Sequence, residues 1–588
     1  MKAGKWIWLA VISLSLLDIL FLLFYPKRKN ESADLIIHTG RIVTMDPVRP
    51  EVEALAAAGG RIIELGGKNK VMRRAGPKTR IIDLKGALAV PGLIETHGHL
   101  LSLGAARMTL DLAGAENWDR IVAMVAEAVE KTGRDEWIEG RGWQQEHWNE
   151  RPQPEAEGFP LHHALSAVSP DNPVVLAHAD GRSCLVNARA MNIVGITRES
   201  RNPAGGRIVK DSSGNPTGAL VGTARELVSR SRRHRTVYAR SKEIEKQALA
   251  AAGECLAHGI TTFHDAGNSY DVIDVYKNLA RGGDLPIRLY VMINEPNDKL
   301  LLRGRAYRLI NLWDYHLTVR AIRRLIGARL EAYDASLVES VENLSGSTRF
   351  NTEPIEDLKE TAAFALENGF QLSVYVKGGQ AGREVLDTYE ETFKSQPGKF
   401  DFRWHIVHTR PADAANLPRF ERLGVTDALE NMNRTPDGLR PPKKPGGAPA
   451  EPGTLVWEKA NNARVITAEG TELPAERIDP IACFHALVTR NMKDKRDFYQ
   501  AQKMTREEAL RSYTIFRAYL GFEDGIKGSF VRGKLADITV LSRDILTCPA
   551  EDILSTEVLC TIVGGKVLYE KYQEADQPET GRLKYRPI

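Results

Sequence analysis

Two histidines one residue apart, His97 and His99, close the apolar run "ALAVPGLIETHGH". Alternate residues of a strand face the same way, so both imidazoles would point to one place at the strand's C-terminal end. Imidazoles at that spacing commonly hold a catalytic divalent cation, which polarises a carbonyl and activates water. Alone the pair is a weak signal, because 14 histidines in 588 residues give roughly 0.3 such pairs by chance. Two satisfied structural histidines are the plain alternative. In "GITTFHDAG", His264 shares a strand face with Thr262; it either reaches the same cavity or serves as an ordinary hydrogen-bonding residue.

Such a pair needs a scaffold that presents strand ends. "GITTFHDAG", "IRLYVMI", "GFQLSVYV" and "RWHIVH" read as buried parallel strands, and 119–131 and 241–258 carry helical spacing. Strand–helix alternation over this length predicts an α/β fold with a (β/α)8 TIM-type barrel. A doubly wound sheet is the competing architecture, but no glycine-rich phosphate fingerprint follows an early strand. In a barrel, the C-terminal ends of the strands form the catalytic face.

Short extended segments punctuated by glycine precede this region, and the same texture returns in "GSFVRGKLADITVLS" and "VLCTIVGGKVLYE". One small composite β-sandwich domain built from both chain ends is expected, from 31–90 and 526–575. The barrel then occupies 91–525, with an insertion at about 105–240, and Pro441 to Pro452 reads as a loop.

Trp6 to Tyr25 is 20 residues long and apolar except for Ser13, Ser15 and Asp18, the length of a bilayer-spanning helix. The basic stretch after it favours an uncleaved single-pass membrane anchor over 1–30, with a signal peptide as the alternative. The flanking lysines and arginines leave the side of the membrane open. Hydrophobic and charged fractions of 43% and 27% are those of a globular chain. A net charge of +4 gives no nucleic-acid partner, and Arg230 to Arg235 reads as a solvated basic face. Five cysteines without a C-x-x-C pair exclude a zinc-finger framework. Oligomeric state is open.

The strand ending "PGLIETHGH", together with "WIEGRGWQQEHW", "GGRIVKDSSGNPTGAL", "GITTFHDAG", "IDPIACFHALVTR" and the tail "GKLADITVLSRDIL", resembles the amidohydrolase superfamily. More narrowly it is similar to amidohydrolase family 3, the branch of N-substituted formamide deformylases, from Ala33 to Tyr569. The resemblance implies metal-assisted hydrolysis of a non-peptide C–N bond in a small molecule. It implies His97 and His99 as the first metal ligands, His408 as a later one, and Glu472 as the proton-handling carboxylate. Arg141, Trp143, His147 and Arg182 are implied at the pocket wall, although Trp143 and Trp148 fit plain packing equally well.

The chain departs from that pattern where a second metal would bind. Arg323 occupies the place of a lysine and Gly327 that of an aspartate. Tyr375 stands for a histidine, with Lys377 nearby and Gly379 for an aspartate, and Val407 stands for a glutamate. A guanidinium has no lone pair to offer a metal and its charge repels a cation. A binuclear centre is therefore not expected. His97, His99 and Glu472, with His408 or water, would hold one divalent cation, zinc being favoured, with Arg323, Tyr375 and His264 around the substrate. The rival expectation is a membrane-anchored homologue without a cofactor that binds a ligand or partner and does not turn it over.

Overall fold

The computed structural model describes residues 32–233, 237–327, 354–377, 379–396, 401–408, 417–430, 467–470, 478–489 and 503–571. Eight strands make the barrel: β1 (Leu93–Gly98), β2 (Ile260–Asn268), β3 (Arg288–Ile293), β4 (Leu317–Gly327), β5 (Gln371–Lys377), β6 (His405–His408), β7 (Thr426–Glu430) and β8 (Thr467–Gly470). They pair in chain order, every pair parallel, and β8 runs back beside β1. That order is a TIM-type barrel and not a doubly wound sheet.

Both faces of β1 to β6 are buried at nearly all of their described residues, which is why they read as continuous apolar runs. The outer positions, among them Phe263, Leu289, Val291, Ile322, Val374 and Ile406, join one large core with the surrounding helices. Residues of the opposite parity form small separate clusters inside the ring: Ala266, Tyr290, Met292 and Ala321 in one, Leu325, Tyr375 and Val407 in another. Polar residues share that inner parity, including His264, Arg323 and Ser373, so the barrel interior is a mixed polar layer.

The helix Leu100–Met108 follows β1 and crosses the long helix Val237–Ala257 at very short range. A Cβ on Gly104 would lie only 1.9 Å from the Gln247 carbonyl oxygen, so the crossing requires glycine there.

Strands from both ends of the described chain, 35–43 to 88–91 and 538–541 to 566–570, form one eight-stranded sheet. Leu88–Pro91 lies parallel to the first strand and antiparallel to Ile538–Leu541. Its two layers are one continuous sheet curled on itself: Arg61 at the far edge bridges Leu535, and the sheet encloses its own apolar core. A buried ion pair, Arg288 with Asp537, ties β3 to this sheet. A second, six-stranded sheet with its own aromatic core is inserted between 110 and 222. The anchor expected at Trp6 to Tyr25 and the loop at Pro441 to Pro452 lie outside the described residues. Among the described residues no helix is long and apolar enough to cross a membrane.

Candidate active site

β1 delivers its histidines with an outward residue between them. A Cβ on Gly98 would meet the Phe263 ring at 2.6 Å, so Gly98 faces the neighbouring strand's outer side. His97 is the buried ring within the strand. His99 lies just past it, as the residue that starts the helix Leu100–Met108. The ring centroids are 6.4 Å apart, with planes at 70°. Burial, reinforced by the charges of Arg323 and His97, holds the His99 imidazole well below its usual pKa, against a backbone hydrogen bond at Ala266.

Carboxylates lock this turn in place. Glu95 Oε1 accepts the N–H groups of Thr96 and His97 at 3.0 and 3.2 Å. Asp265 on β2 accepts the Leu100 N–H at 3.0 Å and the Tyr276 hydroxyl at 2.7 Å, fixing the helix that carries His99. Burial pushes the Asp265 carboxyl up to about 6, against those hydrogen bonds and the nearby Asn268 side chain.

The folded Asp265 thus holds its proton more tightly than the unfolded chain, whose value is near 3.8. Its contribution to stability is complete below that value and is lost as pH rises to about 6. Asp265→Asn should therefore gain on wild type, by on the order of 2 kcal/mol, between pH 4 and pH 7. Urea unfolding at the two pH values measures this, and a pH-independent difference would count against it.

Arg323 on β4 is buried, with its guanidinium 5.9 Å from the centroid of the Tyr375 ring. Gly267, at φ +96°, makes room for it: a Cβ there would press on the Arg323 side chain at 3.0 Å. The Tyr375 ring stacks at 6.3 Å on His97 and packs against Val407 and Leu325. Four of the candidate residues, His97, His99, Arg323 and Tyr375, are therefore brought together.

Of the other candidates, His264 on β2 lies near His97. His264 is buried against the Tyr290 ring at 4.6 Å, and burial, then Lys527, His405, Arg517 and His97, hold it neutral. His405, at the start of β6, belongs to the same buried polar layer; burial and then His97 push it down to about 4. Sequence reasoning missed it by selecting the second histidine of "RWHIVH". The strand parity shared by His405 and Val407 is the signal that would have found it. In register, His408 pairs with Val376. Its side chain, and all of Glu472, lie outside the described residues.

In the insertion, Arg141, His147 and Arg182 are exposed. Trp143 is fully buried, stacks on Trp148 and donates its Nε1–H to the Leu176 carbonyl at 3.1 Å. That corrects its assignment to the pocket wall: it is the core of the inserted sheet. No hydrogen bond, ion pair or ring contact among the described residues joins these four to His97 or His99.

Among the described residues no three His, Cys, Asp or Glu side chains converge as a metal site. Beside His97 and His99 stand a guanidinium and a phenol, one unable to coordinate and the other needing to lose a proton first, and the rings of His264 and His405 also lie near His97. These described residues alone do not complete a metal site, and the expectation of one bound zinc also rests on the His408 side chain and Glu472, which lie outside the described residues.

Residues 80–569 match the amidohydrolase family. The chain belongs to that family. This family member is 28% identical to Protein LONG AFTER FAR-RED 3 of Arabidopsis thaliana, over 91% of this chain and 92% of that protein. It is 23% identical to the N-substituted formamide deformylase of Arthrobacter pascens, over 92% and 99%. The fold is that of a metal-dependent hydrolase from Pyrococcus horikoshii, at TM-score 0.63 and 20% identity, covering 88% of this chain and 99% of that one.

Proposed function

We propose that this amidohydrolase-family chain is a hydrolase acting on a non-peptide C–N bond, of amide or formamide type, in a small molecule at the barrel mouth. The convergence of His97, His99, Arg323 and Tyr375 at one point carries this reading. A neutral imidazole takes a proton from water, the step a general base performs. A guanidinium and a phenolic O–H stabilise the negative charge that develops on a carbonyl oxygen. Arg323 and Tyr375 thus supply electrophilic groups at the positions where the family pattern has metal-binding ones.

A second reading is binding without turnover. The strongly depressed pKa of His99 favours it, because an imidazole so weakly basic takes a proton poorly at neutral pH. In either reading Trp6 to Tyr25 tethers the chain to a membrane; its length and apolar composition support this.

The test is the full-length chain assayed on formamides, amides and hydantoin-like rings, with its zinc and iron content measured. Turnover that survives chelators and falls by about a hundredfold or more in His97→Ala is the expected result. Stoichiometric metal that disappears in His97→Ala would overturn the metal-free chemistry. No turnover on any of these substrates would leave binding as the function.

A further inference from the structure

At the opposite end of the barrel, beside the first residues of β4, β5 and β6, lies a cavity of about 390 Å³. Four aromatic residues line it, the buried Phe370 and Trp404 with Phe402 and Phe522, and Leu366, Gly369, Gln371 and Asp401 share the lining. Arg308 and Arg320 also line it. The acids here, Asp401 in the lining itself among them, are already paired. Asp401 and Asp524 both take Arg403, at 2.9 and 2.7 Å, and Glu523 takes Lys527 at 2.9 Å.

Among the described residues Arg308 and Arg320 enter no ion pair. Arg308 donates its Nε–H to the Gly369 carbonyl at 3.0 Å. Arg320 lies 3.8 Å over the Phe522 ring, and its buried Nε has no hydrogen-bond acceptor among the described residues. A buried donor without an acceptor is costly, and more so when it is charged. Burial, and then the charges of Arg308 and Arg403, hold Arg320 below its ordinary pKa, with Tyr290 and Glu523 opposing. An anion arriving here would relieve both penalties.

We infer that this cavity is a second binding site, for a small molecule that joins an oxyanion to a flat aromatic body. The planar fork of Arg320 matches a carboxylate or phosphate, and Arg308 adds a second positive charge at the rim. The ring walls suit an aromatic face. The volume is that of a small-ligand pocket. Arg320 and Arg323 lie three residues apart on β4 but serve opposite ends of the barrel, so this ligand is not the molecule processed at the mouth.

Isothermal titration of the full-length chain with benzoate, phenyl phosphate, benzamide and inorganic phosphate tests this. Benzoate or phenyl phosphate should saturate one site, and whichever binds tighter identifies the oxyanion. Benzamide and inorganic phosphate should bind about tenfold more weakly or worse, lacking the charge or the ring. Arg320→Gln should weaken binding by a similar factor. Arg308→Gln, at an exposed position, repeats the test where the fold is not at risk. Equal affinity for benzoate and benzamide, binding indifferent to both arginine substitutions, or no saturation at millimolar ligand would each overturn the inference. So would binding lost only in His97→Ala, which would move the anion to the barrel mouth.

Discussion

Asp537→Ala should destabilise the fold by about 3–5 kcal/mol, the cost of leaving a buried guanidinium without its partner. Arg288 and Asp537 side chains are 2% and 5% exposed and meet in a two-pronged pair at 2.7 and 2.9 Å. The Gly564 N–H and the Asp314 carbonyl complete the hydrogen bonding of the two ions, at 2.8 and 2.6 Å. Because Arg288 begins β3 and Asp537 precedes a strand of the composite sheet, the pair is the bolt between the two. Burial raises the Asp537 pKa, but Arg288, Lys527 and the Gly564 N–H outweigh it, and the carboxyl ends below its ordinary value of 3.8. A depressed carboxyl stabilises the fold above its unfolded pKa and stops doing so as pH falls through the folded one. The deficit of Asp537→Ala should therefore be full at pH 7 and shrink below about pH 4. Replacing both ions, Arg288→Met with Asp537→Leu, should recover most of the loss. Urea unfolding reads all of this. A single mutant within about 1 kcal/mol of wild type at pH 7 would show that water reaches the pair.

The second large effect concerns Gly104. Helix propensity alone says that Gly104→Ala stabilises, by about 1 kcal/mol. The crossing says the opposite. The new methyl would sit 1.9 Å from the Gln247 carbonyl oxygen and 2.5 Å from its carbon, and backbone cannot rotate away as a side chain does. Overpacking of this kind costs about 1–3 kcal/mol, occasionally more, so the contact wins and the net change is destabilising. The helix that must shift begins at Leu100, directly after His99, so the strain is passed to the candidate site. Gly104→Ala should lower both the unfolding midpoint and any activity assigned to the barrel mouth, and Gly104→Val should lower both further. A more stable Gly104→Ala protein would refute the close crossing.

Much of this architecture was legible beforehand because buried parallel strands announce themselves as unbroken apolar runs. The run into His97 and His99 located β1 and its C-terminal end correctly. What local pattern could not say was which side of a strand each later residue would take. His405 shares the parity of Val407 within "RWHIVH", but that this parity points into the barrel depends on register with β5, a pairing made across sequence. Trp143 misled for a related reason: an indole beside polar residues reads equally as a pocket wall or as core, until the sheet it packs into is known. The departures at Arg323 and Tyr375 were visible residue by residue. Only folding showed that they stand together with His97 and His99, where their charge and their hydroxyl bear on the same space.

The curled sheet also imposes an order on synthesis. Strand 88–91 pairs with 538–541, a partner that leaves the ribosome about 450 residues later. At roughly 5–20 residues per second, that is a wait of about 20–90 s. Throughout it, the edge that Val90 and Ala89 will later share with Thr539 and Val540 is unpaired backbone, open to the strands of any neighbouring nascent chain. The barrel can close behind β1 in that interval, but the sheet is sealed only once the strands from 538 onward are made. A chain that stops short of residue 538 would leave that sheet edge permanently without its partner.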